Sequence, residues 1–99
     1  MLTIADAVEA LAGTRPATAT VITEAVIDSR HVIPGSLFVA IPGEKADGHD
    51  FIDEAFKRGA SFALTQKDAD ASFRTFDLRA ATPASVAAQE YSVPLCLRV

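Results

Sequence analysis

Ser36-Leu37-Phe38-Val39-Ala40-Ile41 and Ser61-Phe62-Ala63-Leu64-Thr65 are the two stretches on which the fold turns. The first is a continuous apolar run, the pattern of a strand covered on both faces, and the second reads as another strand. Between them, the segment Pro42 to His49 carries Gly43 and Gly48 and is otherwise mostly polar, so it reads as a loop. Asp50 then offers an N-cap with Asp53 at N3. Ile52, Ala55 and Phe56 supply an apolar helical stripe that Gly59 ends. Strand, helix and strand within about 30 residues make a βαβ unit, so the two strands are predicted to be parallel with a right-handed crossover.

Working outward, Thr3 with Asp6 three residues later predicts a capping box. Ile4, Ala7, Val8 and Leu11 follow at helical spacing, and Gly13 closes that helix near residue 12. Thr20 to Ile27 is rich in β-branched residues and reads as one strand. Pro34-Gly35 marks a turn. Beyond Gln66, Phe73 to Leu78 reads as a short strand, and Thr82-Pro83 as an N-cap with Pro at N1 that opens a helix to about Glu90. Pro94 to Arg98 is the last strand. No internal repeat and no linker divides residues 1–99. The expected architecture is a single α/β domain with a small, largely parallel (mixed) sheet and helices on both faces. Phe38, Phe51, Phe56 and Phe62 are its expected aromatic core.

Composition narrows the function. The 99 residues are 49% hydrophobic and 22% charged, a globular composition, with a formal charge of -4. The nine Lys and Arg form no basic stripe, which argues against nucleic acid as a partner. No run approaches the roughly 20 apolar residues of a membrane span. No secretory signal is visible, so a cytoplasmic location is expected. The single cysteine, Cys96, lies in an apolar run and reads as a buried thiol. His31 and His49 stand far apart without further ligands at zinc spacing. No phosphate-loop or dinucleotide fingerprint occurs. A hydrolase triad of Asp28, Ser29 and His49 lacks the strained turn that would present its nucleophile.

One ordered series remains: Asp28-Ser29-Arg30, Pro34-Gly35-Ser36-Leu37-Phe38-Val39-Ala40, Gly43-Glu44, Asp47-Gly48-His49-Asp50-Phe51-Ile52, Ala55 and Gly59-Ala60. It resembles the signature of the amino-terminal domain of Mur ligases of the MurE and MurF type, densely from Val26 to Leu64 and weakly beyond Thr65. The resemblance implies a domain that holds the uridine diphosphate end of a UDP-N-acetylmuramoyl-peptide. In such ligases ATP and Mg act in a central domain, and a carboxy-terminal domain helps bind the incoming amino component. Both domains would be partners of this chain, which is expected to hold no cofactor and not to catalyse by itself. The wording of Gly43-Glu44-Lys45 and Asp47 to Phe51 looks closer to MurF, which adds D-alanyl-D-alanine; MurE is the near alternative. A free-standing nucleotide-sugar-binding module is the alternative of another class.

The same resemblance implies the site. Ser29 offers a hydroxyl to the ligand, and Arg30 a planar cation suited to phosphate. Asp28 and Arg30 equally suit a structural ion pair that shapes the turn. Gly43, Glu44, Lys45, Ala46, Asp47, Gly48 and His49 resemble the loop that wraps the uracil ring. Asp47 and His49 also suit the plainer role of tying that loop to the following helix.

Overall fold

The two stretches do form neighbouring parallel strands. In the computed structural model, which describes residues 2–18, 20–42, 48–67 and 72–99, they are β4 (Leu37–Val39) and β5 (Phe62–Thr65). Leu37 pairs with Phe62, Phe38 with Ala63 and Val39 with Leu64. Before them come β1 (Leu2–Thr3), α1 (Ile4–Ala12), β2 (Val21–Ile22) and β3 (Ala25–Val26). The helix between β4 and β5 is α2 (Ile52–Lys57), and β6 (Thr75–Asp77), α3 (Pro83–Ala88) and β7 (Leu95–Arg98) complete the chain. Five strands make one wholly parallel sheet in the order β3-β4-β5-β7-β6. The antiparallel pairing is confined to a separate ribbon of β1 and β2.

Alternation along the strands builds two cores. Leu37, Phe62, Leu95 and Leu97 face one way and bury Ile4 and Val8 of α1 and Val86 of α3. Phe38, Ala63 and Cys96 face the other way, against Ile52 and Ala55 of α2. Helices therefore cover both faces. Cys96 is buried, and burial pushes its thiol up to about 11, as suits a structural residue.

Local signals produce the helix ends. Thr3 Oγ1 accepts from the Asp6 N–H at 3.2 Å while Asp6 Oδ2 accepts from the Thr3 N–H at 2.9 Å. Thr82 and Ser85 exchange the same two bonds around Pro83. At the end of α2 the Gly59 N–H donates to Phe56 O at 3.1 Å and the Ala60 N–H to Ala55 O at 3.0 Å. This close requires a left-handed residue, and Gly59 has φ 108. A Cβ there would lie 3.1 Å from Pro34 Cα, so Gly59 also lets the Pro34-Gly35 turn pack on α2.

Several expectations are corrected. The strand predicted over Thr20 to Ile27 is two strands, β2 and β3, in different sheets. At the switch the Thr23 N–H donates to Gly35 O and the Leu37 N–H to Glu24 O, while Thr23 Oγ1 donates to Pro34 O at 2.9 Å. These partners come from the turn more than ten residues on, and they pull the chain out of the ribbon and into the main sheet. Asp50 does not cap α2: it lies within a 3-10 turn, Gly48–Phe51, and α2 begins after Phe51 with no side-chain cap. The third helix ends at Ala88, where Gln89 turns extended, rather than near Glu90. Leu11 is exposed, as is Phe51, which leaves the expected core. Among the described residues no helix is long and apolar enough to cross a membrane.

Candidate functional site

Parallel pairing of β3 and β4, with Val26 opposite Phe38, sends both strands out at one rim of the sheet. After β3 the chain runs through Ile27 into a 3-10 turn, Ser29–His31, which Asp28 caps by accepting from the Arg30 N–H at 2.9 Å. After β4 it runs through Ala40 to Ile41, whose carbonyl accepts from the Gly48 N–H at 2.9 Å. The 3-10 turn and first turn of α2 follow directly. A cleft of about 620 Å³ lies between these pieces. It is lined by residues 27–30, by Ile41 and Gly48, by Phe51 of the 3-10 turn and by Glu54 of α2. Open sheets of this kind commonly receive ligands at the carboxyl ends of their strands.

Of the residues expected at the site, Asp28, Ser29, Arg30 and Gly48 line this cleft together. His49 stands apart from it: its Nε2 accepts from the Gln66 N–H at 2.9 Å and so ties the turn to the end of β5. Gly43, Glu44, Lys45, Ala46 and Asp47 lie outside the described residues. Gly48 is required by space. A Cβ there would stand 2.6 Å from Ile41 N and 2.9 Å from Ile41 O, so only glycine lets the two backbone segments meet.

Arg30 is held in the structural manner. Its Nε donates to Asp28 Oδ1 at 3.0 Å and its Nη2 to Oδ2 at 2.7 Å, with the rest of the guanidinium exposed. These bonds, with that of the Arg30 N–H, hold the Asp28 carboxyl well below the usual carboxylate range. Ser29 is only 6% exposed, and its hydroxyl donates to Glu54 Oε2 at 3.2 Å. Glu54 Oε1 in turn accepts from Arg58 Nε at 3.1 Å. Ile27, Ile41, Phe51 and Glu54 are the lining residues that sequence reasoning missed. No local signal marked the last two: Phe51 ends the 3-10 turn and Glu54 lies in the first turn of α2.

The far edge strand ends the same way. Asp77 Oδ1 accepts from the Arg79 N–H at 2.9 Å, and Arg79 Nη2 donates to Asp77 Oδ2 at 2.8 Å after β6, which lowers the Asp77 carboxyl to about 2. Asp-x-Arg thus recurs as a local strand-end motif, though the chain carries no larger repeat. Both folded values lie below the unfolded carboxylate value of about 3.9. Their stabilisation is therefore present above about pH 4 and lost as pH falls towards 2. The urea midpoint, followed by circular dichroism, is expected to drop over that window. The drop should shrink in the paired variant Asp28→Asn, Asp77→Asn; an unchanged acid profile would show that these pairs contribute nothing.

A wholly parallel α/β sheet with a cleft where two adjacent strands exit defines the class. A family model described as the catalytic domain of the Mur ligase family matches residues 21–96. The chain belongs to the Mur ligase family, in keeping with its resemblance to the amino-terminal domain of MurE- and MurF-type ligases. It is 56% identical over 41 residues to the UDP-N-acetylmuramoyl-L-alanyl-D-glutamate--2,6-diaminopimelate ligase of Alkaliphilus metalliredigens, covering 41% of this chain and 8% of the relative. It is 47% identical over 47 residues to the UDP-N-acetylmuramoyl-tripeptide--D-alanyl-D-alanine ligase of Buchnera aphidicola, covering 48% and 10%. The chain thus matches no more than a tenth of the length of these relatives. The crystal structure of MurF from Acinetobacter baumannii shares the fold, with a TM-score of 0.53 and 14% identity over 95% of this chain and 34% of that one.

Proposed function

We propose that the chain docks the uridine diphosphate end of a UDP-N-acetylmuramoyl-peptide, in the cytoplasm, for a ligase that lengthens the peptide during synthesis of peptidoglycan precursors. The observation that carries this reading is the convergence of Asp28–Arg30 and Gly48 on one cleft at the ends of β3 and β4. In this reading Ser29 faces the uridine and Arg30 lies towards the diphosphate, with Gly48 lining the cleft beside them. We expect this chain to hold neither ATP nor Mg. Its sequence carries no phosphate loop. We therefore assign ATP, Mg and the ligation step to the central and carboxy-terminal domains of such a ligase.

The D-alanyl-D-alanine-adding type is our reading from the wording of Gly43-Glu44-Lys45 and Asp47 to Phe51. The 2,6-diaminopimelate-adding type is the second reading, favoured by the higher identity to the Alkaliphilus relative, 56% against 47%. NMR titration of the chain with UDP tests the docking role. We expect weak binding, at about millimolar Kd for a site without its partner domains, with shifts centred on residues 27–30, Ile41, Gly48 and Phe51. ATP should leave those signals unmoved, and Ser29→Ala should weaken UDP. Alanine is the suitable probe, because Ser29 is too buried to accept a larger side chain. Shifts centred elsewhere, or none with UDP, would overturn the proposal.

A further inference from the structure

Phe51 is a large apolar side chain left 39% exposed, beside Ile27 at 66% and Ile41 at 47%, while Phe38 and Phe62 are fully buried. All three exposed side chains line the cleft. Exposed apolar surface forgoes burial, and an aromatic ring lining a cleft is a surface on which a planar base stacks. Three residues on, Glu54 in the first turn of α2 lines the same cleft.

The hydrogen bonds fix what Glu54 and Ser29 offer. Arg58 orients the carboxylate through Oε1, and Ser29 donates its only hydroxyl proton to Oε2. What remains towards the cleft is acceptor capacity: a further lone pair on Oε2 and the lone pairs of Ser29 Oγ. Such a pair matches hydroxyl or N–H donors. It repels a diphosphate, which has no protons to donate and carries the same sign of charge. Among the lining residues the cation is Arg30, paired with Asp28, its side chain mostly exposed and within electrostatic reach of Glu54.

We infer that Phe51 and Glu54 are the nucleoside-recognising residues of the cleft: the base stacks on the Phe51 ring against Ile27 and Ile41, and Glu54 with Ser29 accepts from the ribose hydroxyls. The inference rests on the uridine reading above. It adds a polarity to docking, with the nucleoside on the α2 side and the diphosphate on the Arg30 side. A neutral, diol-bearing nucleoside is thereby preferred to an anion at Ser29.

The test is NMR titration of the chain with UDP and with 2′-deoxyuridine diphosphate, each variant's urea midpoint being measured alongside. Phe51→Leu is expected to weaken UDP about tenfold, the size of a lost aromatic stack, and Phe51→Tyr, which keeps the ring, to restore it. Glu54→Ala is expected to remove the preference for UDP over its 2′-deoxy analogue, with Glu54→Gln intermediate. Wild-type chain that binds UDP, with Phe51→Leu and Glu54→Ala binding it equally well, overturns this inference and leaves the docking role standing. Chain that binds no UDP overturns both.

Discussion

Replacing Phe62 with alanine is expected to cost the fold about 3–5 kcal/mol, the range for emptying a buried aromatic site. Phe62 is fully buried in β5, the middle strand of five. Leu37 and Leu95 stand beside it in register on either side. Ile4 and Val8 of α1 and Val86 of α3 belong to the same cluster. These neighbours come from different elements anchored by their own hydrogen bonds, so they cannot collapse into the space the ring leaves. Natural domains hold only about 5–15 kcal/mol in all, so the loss takes much of the margin. Urea unfolding should show a large fall in midpoint at nearly constant slope. Phe51→Ala, made at an exposed cleft position, should shift the midpoint little. Equal effects for the two would contradict the division between a core phenylalanine and a cleft phenylalanine.

Gly48→Ala is expected to damage the cleft more than its single methyl suggests. The new Cβ would press on the Ile41 N and O atoms, both backbone, so relief requires the chain itself to move. The bond from the Gly48 N–H to Ile41 O, at 2.9 Å, would open. A misfit of this kind typically costs about 1–3 kcal/mol. The movement would also displace Ile41 and the turn that carries Phe51, both of which line the cleft. UDP affinity should fall at least about tenfold, since a tenfold change corresponds to only about 1.4 kcal/mol. Titration and urea unfolding of the same sample separate the two effects. A variant with native affinity and stability would show that the close approach at Gly48 is not needed.

The contrast between these two glycine and phenylalanine positions and the helix caps shows where sequence reading succeeds. The bonds of Thr3 with Asp6 and of Thr82 with Ser85 span three residues, so the residues that make them are adjacent in the text of the chain. The β4–α2–β5 unit was legible for a related reason: apolar runs and a helical stripe each declare their own period. The ordered series from Asp28 to Ala60 was specific enough to bring the Mur ligase resemblance with it. Two of its pieces, Asp28–Arg30 and Gly48, proved to line one cleft.

Other features depended on partners far away in the chain. Thr20 to Ile27 carries the composition of one strand, and nothing local divides it. The division comes from Gly35 O and the Leu37 N–H, which bond Thr23 and Glu24 across the later turn. Phe51 has the spacing of a core residue, yet the 3-10 turn beginning at Gly48 sets it on the cleft side. Glu54 looks like an ordinary surface carboxylate paired with Arg58 until β3 brings Ser29 to it from 25 residues away. By itself, then, the sequence determined the local elements, the parallel βαβ unit and the family, because short-range hydrogen bonds and burial periodicity are written within a few residues. Strand division, the exposure of Phe51 and the Ser29–Glu54 pairing were decided only by the tertiary structure, because each depends on which distant backbone or side chain the sheet's register brings alongside.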